Sequence, residues 1–379
     1  MTEPAVTVTT DPVALAAELV AIDSVNPSLV PGAAGEPEAA DFCAAWLADR
    51  GFEITRLGTA DRPSIVAVKR GPGGRSVMLN GHLDTVAATP AQLVPAQRDG
   101  RLYGRGAFDM KSGVAALMVA AAEAQCAGDV IVALVADEEF GSAGTERVLE
   151  KFTADAAIVA EPSGLELTVA HRGFAWFEVA ISGRAAHGSQ PELGVDAIAH
   201  AAQIMRALDE LGRSLAAGPA HPLLGHGTVR VSTISGGVDA ATVAPSATLT
   251  VERRFLPGES PDAVEEELRL ALGALLDSSA PDTARATLSR LVARRAFEAA
   301  PHSAIVDVVS RHAHAVTGSA VRRGEPFWTD AGLYAEAGIP CLVIGVDGGG
   351  AHADEEWATT ESIRELTEIL RRSIEEFCA

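Results

Sequence analysis

The feature that most restricts how this chain can fold is a series of short apolar runs that each stop at a histidine or a carboxylate. Ser76–Val86 breaks at Gly81 and delivers His82 and Asp84, Val130–Ala136 runs directly into Asp137-Glu138-Glu139, and Ile158–Ala160 ends in Glu161. A later run, Ile339–Val346, leads into a glycine cluster and His352. Runs of this length, rich in Val, Ile and Leu and bounded by turn residues, read as buried strands. Helical patterns alternate with them at 12–22, 37–50, 112–126, 302–318 and 360–377, the first opened by Asp11 as N-cap and Pro12 in the first turn. The alternation predicts an α/β domain with a mixed sheet, and in open sheets of this class the strand ends are where sites collect.

From Phe174 the pattern changes. A strand at 174–182 is followed by a helix at 194–215, with Ile198, Ala202, Met205, Leu208 and Leu211 on one face, and then by strands at 228–235 and 246–255. A helix at 261–276 and a strand at 284–292 complete the order βαββαβ, that of a ferredoxin-like unit. Because the α/β pattern resumes afterwards, residues 174–292 are predicted to interrupt a first domain made of 1–173 and 293–379. Two domains also suit a chain of 379 residues.

Charge and cysteine usage narrow the function. With 30 basic against 51 acidic residues the net charge is −21, which repels nucleic acid and anionic lipid. No apolar run approaches the length of a membrane span. The opening Met-Thr-Glu-Pro-Ala-Val lacks a basic segment leading into an apolar one, so a cytoplasmic protein is expected. Cys43, Cys126, Cys341 and Cys378 lack CxxC spacing, which argues against a disulfide framework and against a thiolate metal site.

The polar ends suggest chemistry. Residues two apart on an extended segment point the same way, so His82 and Asp84 suit a metal-ligating imidazole and the carboxylate that holds it. A core histidine satisfied by its neighbour fits the same pair. Asp109, in Gly104-Arg105-Gly106-Ala107-Phe108-Asp109-Met110-Lys111, sits just ahead of a helix, where it can be a ligand or an N-cap. This loop lacks the glycines of a dinucleotide fingerprint and the Gly-Lys-Ser/Thr of a P-loop, which removes a nucleotide-binding enzyme from consideration. Asp137-Glu138-Glu139 calls for a nearby positive charge unless it is a solvated acidic turn. Together His82, Asp109, Glu139, Glu161 and His352 form a donor set without thiolates that suits Zn²⁺, Co²⁺ or Mn²⁺, with room for two ions bridged by one aspartate.

Six ordered motifs carry a resemblance: Gly81-His82-Leu83-Asp84-Thr85-Val86, Gly104-Arg105-Gly106 with Asp109-Met110-Lys111, Asp137-Glu138-Glu139, Ala160-Glu161-Pro162-Ser163, Gly183-x-x-Ala186-His187 and Ala351-His352-x-Asp354-Glu355. In these the chain resembles the M20 metallopeptidase family, which includes acetylornithine deacetylase, succinyl-diaminopimelate desuccinylase, aminoacylases and glutamate carboxypeptidase. The resemblance implies two divalent ions, one held by His82, Glu161 and Asp109 and the other by Asp109, Glu139 and His352. It implies that Asp84 orients His82 and that Glu138 is the general base, acting on a metal-bridging water. It further implies that His187, in a lid and dimerisation unit, donates to the oxyanion across a homodimer interface, and that Arg254 clamps a substrate carboxylate. For His187 a loop residue capping the next helix is the alternative, and for Arg254 a solvated edge-strand charge. Thr242 stands where many relatives carry Asn, and Gly345-Val346-Asp347-Gly348 replaces the usual Gly-Pro-Gly, departures that bear on substrate identity. The expected function is removal of the acyl group from a small N-acyl amino acid. A carboxypeptidase or dipeptidase is the nearest rival, and a non-catalytic relative is disfavoured by the intact Glu138.

Overall fold

The apolar runs form the centre of one sheet in the computed structural model of the protein, which describes residues 10–276 and 283–379. The leader reading at residues 1–6 lies outside the described residues. Val77–His82, Val130–Val135 and Ala156–Val159 are buried at every position, as strands covered on both faces are. Val77–His82 runs parallel to both of the others, with His82 opposite Val135 and Asn80 opposite Val159. Cys341–Val343 continues the parallel run beside Ala156–Val159. The segments that follow these strands therefore leave from one edge. Pro63–Lys69 and Glu53–Gly58 add to the other side antiparallel, which makes the sheet mixed.

Burial explains the helices. Lys111–Glu123 is buried from Lys111 through Ala121, which marks it as an internal helix, whereas Thr360–Phe377 buries one face, the apolar stripe Ile363, Leu366, Ile369, Leu370, Ile374 and Phe377 with Ser362, Thr367 and Ser373 beside it. The second packs on the first and on Ala304–Thr317. Each fully buried Val, Leu or Ile in these layers contributes about 1.5–3 kcal/mol, enough in sum to hold charged groups at the sheet edge. The run at 339–346 is strand only over Cys341–Val343, although the Ile344 amide still donates to Val159 at 3.0 Å. The sequence reading missed the strand Glu53–Gly58, the short helices Ala143–Leu149 and Ala331–Glu336, and a small sheet of Ala96–Arg98, Arg101–Tyr103, Gly348–Gly349 and Trp357–Thr359.

The chain divides into two compact units, one of Met1–Val169, Ala299–Arg323 and Thr329–Ala379, the other of Ala170–Glu298 with Gly324–Trp328. The second holds Gly173–Ser182, Ala197–Ala217, Thr228–Gly236, Ser246–Phe255, Pro261–Leu272 and Arg285–Arg294. Its antiparallel sheet places the first strand between the third and the fourth, with the second at an edge beyond the third, the ferredoxin-like order. The helix Ala197–Ala217 buries Ala197, Ala201, Ile204 and Leu208, while Ile198 is 46% exposed. The expected face is thus rotated, because small alanines at helical spacing pack as closely on the sheet as larger residues do. No helix among the described residues is long and apolar enough to cross a membrane.

Candidate metal centre

His82 ends its strand with 1% of its side chain exposed, and its Nδ1 lies 2.8 Å from the backbone carbonyl of Asp84. The Asp84 carboxylate, expected to be that partner, is 3.7 Å away and is occupied elsewhere. It accepts from the backbone amides of Glu138 and Glu139 at 3.1 Å each and from Asn26 Nδ2 at 2.8 Å. Asp84 therefore fixes the imidazole through its main chain and the two glutamates through its side chain. Asp137 has φ +71, a left-handed turn that separates the directions of its neighbours. Its carboxylate is paired with Arg62 at 2.8 Å, and Arg62 also binds buried Glu36 at 2.8 and 2.9 Å. Of the three adjacent carboxylates, one is thus paired outside the cluster, with an arginine it shares with Glu36, and two are left for the cluster.

Asp109 is not a helix cap: the cap position of Lys111–Glu123 is Met110, with no side-chain bond. Its Oδ1 lies 3.1 Å from His82 Nε2 and its Oδ2 3.5 Å from His352 Nε2. Glu161 Oε1 is 3.6 Å from His82 Nε2, and Glu139 Oε2 is 3.0 Å from His352 Nε2. The other Glu139 oxygen is buried without a hydrogen-bond partner. His352 rides a glycine turn at φ +62 with a half-exposed side chain. Gly350 is required there, since it has φ +80 and a Cβ would stand 1.9 Å from the Glu355 carbonyl oxygen. Ligand-capable atoms of His82, Glu138 and Glu161 lie within 4.8 Å of one another, as do those of His82, Asp109 and Glu139.

The charge balance decides what the cluster can do. Two like charges about 4 Å apart repel by about 4 kcal/mol at an effective dielectric near 20, so several ionised carboxylates here would consume much of a domain's stability of about 5–15 kcal/mol. Without metal the cluster holds protons instead. Burial, reinforced by Glu161, pushes the Glu138 carboxyl well above its usual range, and burial with the charges of Asp109 and Glu139 does the same to Glu161 against the pull of His82. Glu139 is also raised, by burial and by Asp109. Burial opposes charge on His82, but Glu161, Asp109 and Asp84 outweigh it and hold the imidazole protonated well above its ordinary value. Hydrogen bonds to Asp109 and Glu139 lift His352 to about 10. Oxygen and imidazole donors that must otherwise hold protons, with one buried oxygen unpartnered, fit divalent cations.

Several contributors escaped the sequence reading. Asp330 opens the helix Ala331–Glu336 yet turns its carboxylate to Thr145 at 2.5 Å, and burial pushes it up to about 6. Asn26, Arg62 and Glu356 were also missed, and Arg105 was read only as part of a motif, with no role of its own. For Asp330 the available signal was an acidic residue at a helix start, and it is a common one. His187 and Arg254 belong to the second unit. The helix Ala197–Ala217 is capped by Asp196, so His187 is not its cap; His187 pairs across an isolated bridge with Thr242, and its Nδ1 lies 2.8 Å from Ser189 Oγ. Arg254 donates to Glu252 at 3.1 Å and lies over Phe174, 5.2 Å from the ring centre.

Comparison with known proteins bears on this geometry. The family described as Peptidase family M20/M25/M40 matches residues 78–376. Acetylornithine deacetylase of Myxococcus xanthus is 31% identical over 382 residues, covering 95% of this chain and 96% of that protein. N-formyl-4-amino-5-aminomethyl-2-methylpyrimidine deformylase of Bacillus subtilis is 28% identical, covering 89% and 88%. The aminopeptidase PepT structure from Bacillus cereus shares the fold with a TM-score of 0.80 at 21% identity, over 97% of this chain and 98% of that one.

Proposed function

The chain belongs to peptidase family M20/M25/M40 and is a hydrolase of amide bonds, and from that premise we propose that it removes the acyl group from a small N-acyl amino acid. The observation that carries the reading is the division of Asp109, one oxygen toward His82 and the other toward His352. In the proposal His82, Glu161 and Asp109 would hold one divalent ion, and Asp109, Glu139 and His352 the other. Zn²⁺ suits these donors, as do Co²⁺ and Mn²⁺. When bound, the pair supplies Lewis-acid polarisation of the amide carbonyl and acidifies water. Glu138 then takes a proton from the attacking water and passes it to the leaving amine, a role that suits a carboxylate whose burial already favours its protonated form. The Asp84 carboxylate keeps Glu138 and Glu139 aimed apart through their amides.

From the second unit, the proposal assigns His187 to the oxyanion and Arg254 to the substrate carboxylate, for which a planar bidentate donor is suited. It takes that unit as a lid and as a homodimer contact, supported by the exposed edge strand Thr228–Gly236 with Ile234 53% exposed. Four free thiols fit a reducing cytoplasm. A carboxypeptidase or dipeptidase on the same scaffold is the second reading, since the same pair of ions and the same base would serve a peptide bond.

The test is a panel of N-acetyl, N-formyl and N-succinyl amino acids and dipeptides, hydrolysed with Zn²⁺, Co²⁺ or Mn²⁺ by wild type and Glu138→Gln. Deacylation that falls by about 10²–10⁴ in the variant, at unchanged metal content, is the expected result. Cleavage of dipeptides alone supports the second reading, and turnover of Glu138→Gln near wild type removes Glu138 from proton transfer.

A further inference from the structure

Glu356 is 3% exposed, and its carboxylate is filled at every acceptor position. Oε1 accepts from the backbone amides of Phe108 and Asp109 at 2.9 Å each, and Oε2 from Gly106 at 3.0 Å and from Arg105 Nη1 at 2.6 Å. The Glu356 carbonyl accepts from the Gly104 amide at 3.1 Å. One residue thus takes five bonds from the loop 104–109, which ends at the aspartate shared by both ligand sets. Arg105, 4% exposed, extends the link by donating to Ala353 at 2.9 Å and to Ala87 at 3.0 Å. Ala353 follows His352 directly. The carboxylate therefore joins two segments 251 residues apart in Arg105 and Glu356, one presenting Asp109 and the other His352.

A buried carboxylate saturated by backbone amides is an expensive way to close a surface loop, since removing it would leave three amides unpaired at about 1–3 kcal/mol each. Its placement is directional. The amide of Asp109 itself is among the donors, so the carboxylate fixes the main chain from which the ligand side chain departs. We propose that Glu356 is a positioning residue for metal loading: it holds Asp109 and His352 in register, so that the ion they share with Glu139 meets a preformed set of donors. The inference rests on the ligand assignment above and names a residue that touches no ion.

The test is calorimetric titration of Zn²⁺ into metal-free wild type, His352→Ala, Glu356→Gln and the double variant, with folding of each checked by circular dichroism. Glutamine keeps the shape but turns an amide group toward backbone donors. Wild type should bind two ions, and His352→Ala should weaken one of them. Glu356→Gln should weaken that same ion by about 10–100-fold, the range for outer partners of metal ligands. The double variant should lose less at that site than the two single losses combined, because both changes act on one set of donors. If His352→Ala binds as wild type does, the ligand assignment itself fails. If His352→Ala loses an ion while folded Glu356→Gln matches wild type, or if the losses simply add, the positioning role is overturned and the assignment stands. Should Glu356→Gln not fold, Glu356→Asp replaces it, since a carboxylate one methylene shorter keeps its charge beside Arg105 but cannot reach all three amides; unchanged affinity in that folded variant overturns the proposal equally.

Discussion

His82 and His352 approach the same aspartate from opposite sides, yet they are built in different ways. His82 ends a strand flanked by two parallel partners, its side chain is 1% exposed, and the Asp84 carbonyl fixes its ring. His352 sits on a glycine turn, its side chain is 54% exposed, and its contacts in the cluster are to Glu139 and Asp109. The first donor inherits its position from the sheet. The second depends on segments that reach it from elsewhere in the chain. On the proposed ligand assignment, the contrast implies one firmly held ion and one that exchanges more readily, with Asp109 as the common member.

The strongest way to break this comparison is to remove what the halves share. Asp109→Ala should reduce hydrolysis to background and release both ions by elemental analysis, since neither half keeps its set. Retention of one full equivalent would make the halves independent. A finer comparison sets His352→Ala against His82→Ala. His352→Ala should keep one ion per chain and weaken the other by more than the 10–100-fold or so lost with an outer partner. His82→Ala should also lower thermal stability of the metal-free protein, because it takes from the ionised Asp109 carboxylate the buried imidazole that lies 3.1 Å from it. Equal behaviour of the two variants would erase the distinction.

The smallest expected effect is in pH. Metal-free, Glu138 and Glu161 keep protons above the ordinary carboxyl range, and His352 keeps one up to about 10. The folded state then binds more protons than the unfolded chain between the ordinary and the raised values, so stability falls as pH rises through that window. Melting of chelator-treated protein should drop by a few degrees from about pH 5 to about pH 9, and saturating Zn²⁺ should flatten the trend by replacing the protons. A metal-free Tm that rises over this range would contradict the charge balance described for the cluster.

The same contrast governs what could be read from sequence. His82, Glu139 and Glu161 were legible because an apolar run that ends in a polar residue is a local pattern, and parallel neighbours bring such ends together. The βαββαβ order of the second unit was legible for the same reason, although the buried face of Ala197–Ala217 was not, since alanine packs without marking a face. Arg62, Asn26 and Glu356 were invisible because their meaning lies in partners far along the chain: Arg62 with Asp137, Asn26 with Asp84, Glu356 with Arg105. Asp330 carried only the signal of a helix cap, a use its carboxylate does not make.

Anomalous diffraction from crystals soaked in Mn²⁺ or Zn²⁺ tests the central claim most directly, because it locates each ion against named side chains. The account predicts two peaks per chain, one beside His82 and Glu161, the other beside His352 and Glu139, with an Asp109 oxygen on each and Glu138 on neither. A single peak seated among His82, Glu138 and Glu161, a grouping whose donor atoms also lie within 4.8 Å of one another, would contradict it.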